Sequence, residues 1–125
     1  MNSSDEETVR FITASFPSVW TLELLLLLKR ESGSWSRDDL VQRLRASEAV
    51  VSVALDALLA AGLVSVEGGN AMYRPANRAV EAIVDRAENL YRRRPNSVCR
   101  AIVEARTSSA TAFADAFRLR RDRND

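Results

Sequence analysis

The side chains able to do chemistry in this chain are arginines and serines, gathered between residues 37 and 78. Arg37, Arg43, Arg45, Ser47, Ser52, Arg74 and Arg78 all fall there. Guanidinium and hydroxyl groups are the donors that hold phosphate oxygens, so contact with an anionic backbone is the chemistry they suggest. Catalysis finds little to work with. The chain has no histidine, which removes the usual general base and the commonest zinc ligand. Cys99 has no second cysteine, so neither a disulfide nor a thiolate metal site can form within one chain. Its simplest role is a small apolar residue beside Ile102 and Val103. Gly68-Gly69 matches no phosphate loop, and Asp85 and Glu88 stand at helical spacing from Arg92, the pattern of a solvated surface. Arg92-Arg93-Arg94 suits a helix C-terminus and secondarily an acidic partner. No enzyme, metal or cofactor is expected.

The elements that position these groups can be read from Ser36 to Arg74. Ser36 is a good N-cap, followed by Asp38 and Asp39 at the positive end of a helix dipole. Leu40, Val41 and Leu44 give that helix one apolar stripe. Ser47 with Glu48 opens a second helix after a turn of a few residues. Its apolar repeat is Val51, Leu55 and Leu58, with Ala54 and Ala61 alongside, and Gly62 stops it. Strands are expected at Leu63–Val66 and Ala71–Arg74, around a Gly68-Gly69-Asn70 turn.

Helix, tight turn, helix, glycine and hairpin resemble the helix-turn-helix and wing of bacterial regulators of the MarR and ArsR type. Leu40, Leu44, Ser47, Val51, Leu55, Leu58, Gly62, Leu63 and Val64 carry the resemblance, over about a third of the chain. It implies a winged helix-turn-helix: mainly α with a small β-hairpin, and with extra N- and C-terminal helices. In that family the terminal helices dimerise, and some members use a cysteine as a redox sensor, the second role open to Cys99.

The flanking segments complete a division into an N-terminal helix (residues 1–16), a winged core (17–76) and C-terminal helices (77–125). The first helix runs from about Asp5 to Ser15. Pro17 falls in the first turn of the next, with Ser15 or Phe16 at its entrance. That helix is apolar nearly all round through Trp20 and Leu22 to Leu28, as a central core helix would be, its outermost leucines reaching a second subunit. Trp35 reads as a hydrophobic staple against the next helix. Asn77 caps a helix that Pro95 ends, and Asn96 or Ser97 starts another. A last amphipathic segment carries Phe113, Ala116 and Phe117 before a charged tail. Apolar stripes at Val9, Ile12 and Phe16 and at Phe113 and Phe117 suggest a homodimer. With 125 residues, 46% of them hydrophobic, the chain can bury a single core. The acidic N-terminus has no secretory pattern, and the leucine run falls short of the ~20 residues of a membrane span. A cytoplasmic protein is expected.

Two functions follow. The net charge of only +1 is far from that of a DNA-coating protein, although local basic patches can still form. On the first reading a dimeric transcription regulator binds duplex DNA, with Arg37, Arg43, Arg45, Ser47, Ser52, Arg74 and Arg78 on phosphates and weak base readout. The helix that faces the groove in the resembling family offers Glu48, Ala49, Val50, Ser52, Val53, Asp56 and Ala57, and only Ser52 is a plausible donor. On the second reading the module binds no DNA and docks on a protein, another regulator or a sigma factor, through Val50, Val53 and Ala57.

Overall fold

The computed structural model describes residues 3–107. Helix α1 (Ser3–Ser15) and helix α2 (Val19–Arg30) lead to a short strand β1 (Trp35–Ser36). Helices α3 (Arg37–Leu44) and α4 (Glu48–Ala60) precede strands β2 (Val64–Glu67) and β3 (Asn70–Tyr73). Helix α5 (Arg78–Arg93) follows, and helix α6 covers residues 95–107. The chain is mainly helical with one small antiparallel sheet. The expected loop after Thr107 and the segment with Phe113, Ala116 and Phe117 lie outside the described residues.

The expected caps form. Ser36, Ser47 and Asn77 each accept from the backbone N–H three residues on, at Asp39, Val50 and Val80. The entrance to α2 differs from expectation. Phe16 N–H bonds back to Ile12, so Phe16 closes α1 instead of opening α2. The cap is Ser18, whose hydroxyl accepts from Thr21, and Pro17 stands before it, outside the first turn. Pro95 does stand inside a first turn, that of α6, where its missing N–H costs nothing.

The α4 terminus shows why Gly62 is there. Leu63 N–H reaches the Leu58 carbonyl and Gly62 N–H reaches that of Leu59, closing a Schellman motif with Gly62 at φ 74°. Leu63 and Leu58 are both buried, the apolar contact that accompanies this motif.

The sheet has three strands in the order β1-β3-β2, not the two expected. Trp35 pairs with Ala71 and Ser36 with Asn70, so Trp35 is a strand residue, not a helix staple. Its indole N–H also donates to the Glu31 carbonyl at 3.0 Å. The hairpin turn is Gly68-Gly69 alone, at φ 58° and 81°, the positive pair that a two-residue turn matching strand twist requires. Asn70 therefore enters β3, pairing with Glu67.

Leu22, Leu24, Leu25, Leu26 and Leu28 of α2 are all fully buried within the single chain. Helix α2 packs on α4 and β3, and α1 packs on α5. Leu27 alone of the run is part-exposed, and it too packs against the core. Ile12 and Phe16 are core residues and Val9 packs on the core, so the α1 stripe is also satisfied internally. Among the described residues no single helix is long and apolar enough to cross a membrane. The apolar pair α1 and α2 is bent by 104°.

Glu88 departs from the solvated pattern expected with Arg92, whereas Asp85 is exposed as expected. Glu88 is buried and accepts from Lys29 Nζ at 2.7 Å and Arg30 Nε at 3.0 Å, and Asp85 lies 3.3 Å from Lys29. This ionic knot ties the end of α2 to α5. Burial pushes the Glu88 carboxyl up, but the bonds from Lys29 and Arg30 outweigh it and hold it below the usual range. Its bond to Glu88 holds Lys29 above its usual value, against the opposing effect of burial.

Candidate interaction face on helix α4

Helix α4 has two faces of nearly the same composition. Val51, Ala54, Leu55 and Leu58 are buried, a 3–4 spacing that turns one side to α2. The opposite side carries Ala49, Val50, Val53, Asp56, Ala57 and Ala60. Val53 is 61% exposed, the most open large apolar residue among those described. Trp20, from the first turn of α2, lies alongside at 42% exposure. Between them runs a groove of about 380 Å³ lined by Pro17, Trp20, Ala49, Val50 and Val53, with Arg106 of α6 at its edge. Arg106 is held there by donation to the Pro17 carbonyl at 3.2 Å.

Several of the charged groups around this face are acids or are engaged within the chain. Helix α4 contains no basic residue, only Glu48 and Asp56. Arg43 donates to Glu31 at 2.7 Å through Nη2 and at 3.2 Å through Nε. Arg74 reaches Glu67 at 3.5 Å. Arg37 donates to the Ser52 hydroxyl at 3.1 Å, so the one plausible donor on α4 serves as acceptor to its own chain. The Ser47 hydroxyl is spent on its cap. Arg45 is exposed at the end of α3 in a left-handed conformation, φ 54°. Arg78 is exposed at the start of α5, and among the described residues neither makes an ion pair that would fix its direction.

The structure therefore brings Val50, Val53 and Ala57 together on one surface, gives Arg37, Arg43 and Arg74 separate intramolecular partners, and leaves Arg45 and Arg78 exposed. It adds Trp20, Pro17 and Arg106, which the sequence did not point to. The sequence placed Trp20 with the leucines on an all-round apolar core helix, and the structure instead leaves this first-turn aromatic 42% exposed.

Elsewhere, Cys99 is partly buried beside Tyr91, whose hydroxyl donates to Glu23. Burial and then the Glu23 carboxylate push the Tyr91 phenol well above its ordinary value. Among the described residues no group of three His, Cys, Asp or Glu stands together in a way that could hold a metal ion.

Comparison with known proteins adds no relative: no family model, curated protein or solved structure matches this chain.

Proposed function

We propose that the chain is a winged-helix module of transcription regulation that docks on a protein partner through the outer face of α4. The α3–turn–α4 pair and the β2–β3 hairpin supply the winged helix-turn-helix, with α1, α5 and α6 as the extra terminal helices. One observation carries the choice of partner. The helix that a DNA reader would lay in the major groove bears no cation, and presents Val53, Val50 and Ala57 beside Trp20. Such a surface gains by losing water to another apolar surface and gains nothing from a phosphate backbone. With Glu48 and Asp56 on the same helix, the matching partner is apolar at its centre and basic at its rim.

Duplex DNA remains a second reading because Arg37 stands beside Ser52 at the start of α4, and Arg45 and Arg78 are exposed. The ion pairs of Arg43 and Arg74 are surface pairs of small net worth, which phosphate can displace.

Val53→Arg separates the two. On the docking reading it places an unpaired charge in the interface and costs several kcal/mol, enough to abolish capture of the wild-type partner from host extract. Arg37→Ala and Arg74→Ala leave that capture intact. The same proteins are titrated with duplex DNA from the gene's upstream region at graded salt. Strong binding, with a log–log salt slope falling by about one unit for each arginine removed and retained in Val53→Arg, would overturn docking in favour of DNA.

A further inference from the structure

Resting on the docking reading, we propose that residues 108–125 of the same chain occupy the Trp20–Val53 groove and so compete with the partner. Three observations converge. Arg106, which lines the groove and bonds to Pro17, is separated from this segment only by Thr107. The described chain therefore ends one residue past a side chain at the groove's edge. Phe113 is six residues beyond Thr107, within about 20 Å even for a fully extended chain. Phe113 and Phe117 are four apart, the spacing that aligns two side chains on one helical face. Arg118, Arg120 and Arg121 follow directly, and the outer face of α4 carries Asp56 and no cation. An apolar centre with a basic flank is the chemistry already inferred for the partner.

The short connection gives the arrangement its force. A ligand tethered by a few residues is presented at an effective concentration in the millimolar range, so even weak apolar contacts populate a closed state. A partner then binds only the open fraction, and its apparent affinity falls by that fraction.

The test uses the full chain labelled with 5-fluorotryptophan, whose two fluorine resonances are assigned with Trp20→Phe. In the wild type the Trp20 resonance is expected to show a small H2O/D2O solvent shift. In the Phe113→Ser, Phe117→Ser double variant it moves and takes the larger solvent shift of an open indole, with Trp35 unchanged. The same variant binds the partner several-fold more tightly. If the double variant fails to fold, reversal of Arg118, Arg120 and Arg121 to Glu decides, and the Trp20 resonance moves in the same direction. An identical Trp20 resonance in wild type and the deciding variant overturns the proposal. So does a Trp20 signal that changes on about a hundredfold dilution, which assigns the segment to a second copy. Both outcomes leave the docking reading standing, since that reading falls on partner capture by Val53→Arg or on strong salt-dependent DNA binding retained in that variant.

Discussion

Ser47 and Glu88 show how one residue's role is set by its partner. Ser47 belonged with the phosphate contacts by type, yet its oxygen holds the Val50 N–H and starts α4. Ser47→Ala should cost about 1 kcal/mol in urea unfolding and leave partner capture unchanged; an unchanged midpoint would deny the cap its role. Glu88 makes two charge-assisted bonds in a nearly closed site, so Glu88→Gln should cost about 2 kcal/mol near neutrality. Its folded pKa lies below the ordinary 4.5, so its contribution is complete above that pH and fades as pH falls through the folded value. The Lys29 side of the knot, raised above 10.5, fades as pH rises past its own folded value. Thermal melting of wild type and Glu88→Gln should therefore differ most between these limits. A gap that stays open in strong acid would contradict the assignment.

At the scale of elements, turns decide how α4 and the hairpin meet. Gly62 at φ 74° lets the chain leave α4 through paired backbone bonds, and an added Cβ there would meet the Ala76 Cβ at 3.4 Å. Gly62→Ala combines the positive-φ penalty with that contact and should lower stability by about 1–2 kcal/mol. Gly68 has open space around its missing Cβ, so only the backbone penalty applies to Gly68→Ala, and the smaller loss is expected there. Equal losses from the two, measured by chemical unfolding, would show that the Ala76 approach is irrelevant. Strand β1 adds a third strand through Trp35 and Ser36 alone, which gives β3 a neighbour on each edge.

For the whole molecule, one core accounts for most of the apolar content of α1 and α2, and the exposed large apolar residues among those described are Val53 and Leu59 on α4, Trp20 on α2, Val66 on β2 and Val103 on α6. This makes a sharp contrast between neighbouring positions. Val53→Arg should change the melting midpoint by no more than a surface substitution does, about 0.5 kcal/mol, because the side chain is mostly in water. Val51→Arg, at a site 1% exposed, should unfold the protein. Circular dichroism on both variants reads this directly, and a folded Val51→Arg would mean that α4 is turned the other way.

Local chemistry made much of this legible in the sequence. The caps at Ser36, Ser47 and Asn77, the stop at Gly62 and the hairpin at Gly68-Gly69 depend on a few adjacent residues, and the structure has each of them. The heptad-like repeat of Val51, Leu55 and Leu58 likewise named the inner face of α4 before any packing was known. Sequence could not tell which apolar residues exceed the core, because that depends on how many neighbours each helix acquires. Trp20 and Leu22 read alike along α2, yet one lies against the groove and the other is sealed between α2 and its neighbours. Nor could it pair Lys29 with Glu88, or Arg43 with Glu31, since those charges meet only when distant segments pack. Which arginines near α4 are paired, and which apolar side chains such as Val53 and Trp20 are left in water, were decided by those tertiary contacts, because both depend on segments far apart in the chain.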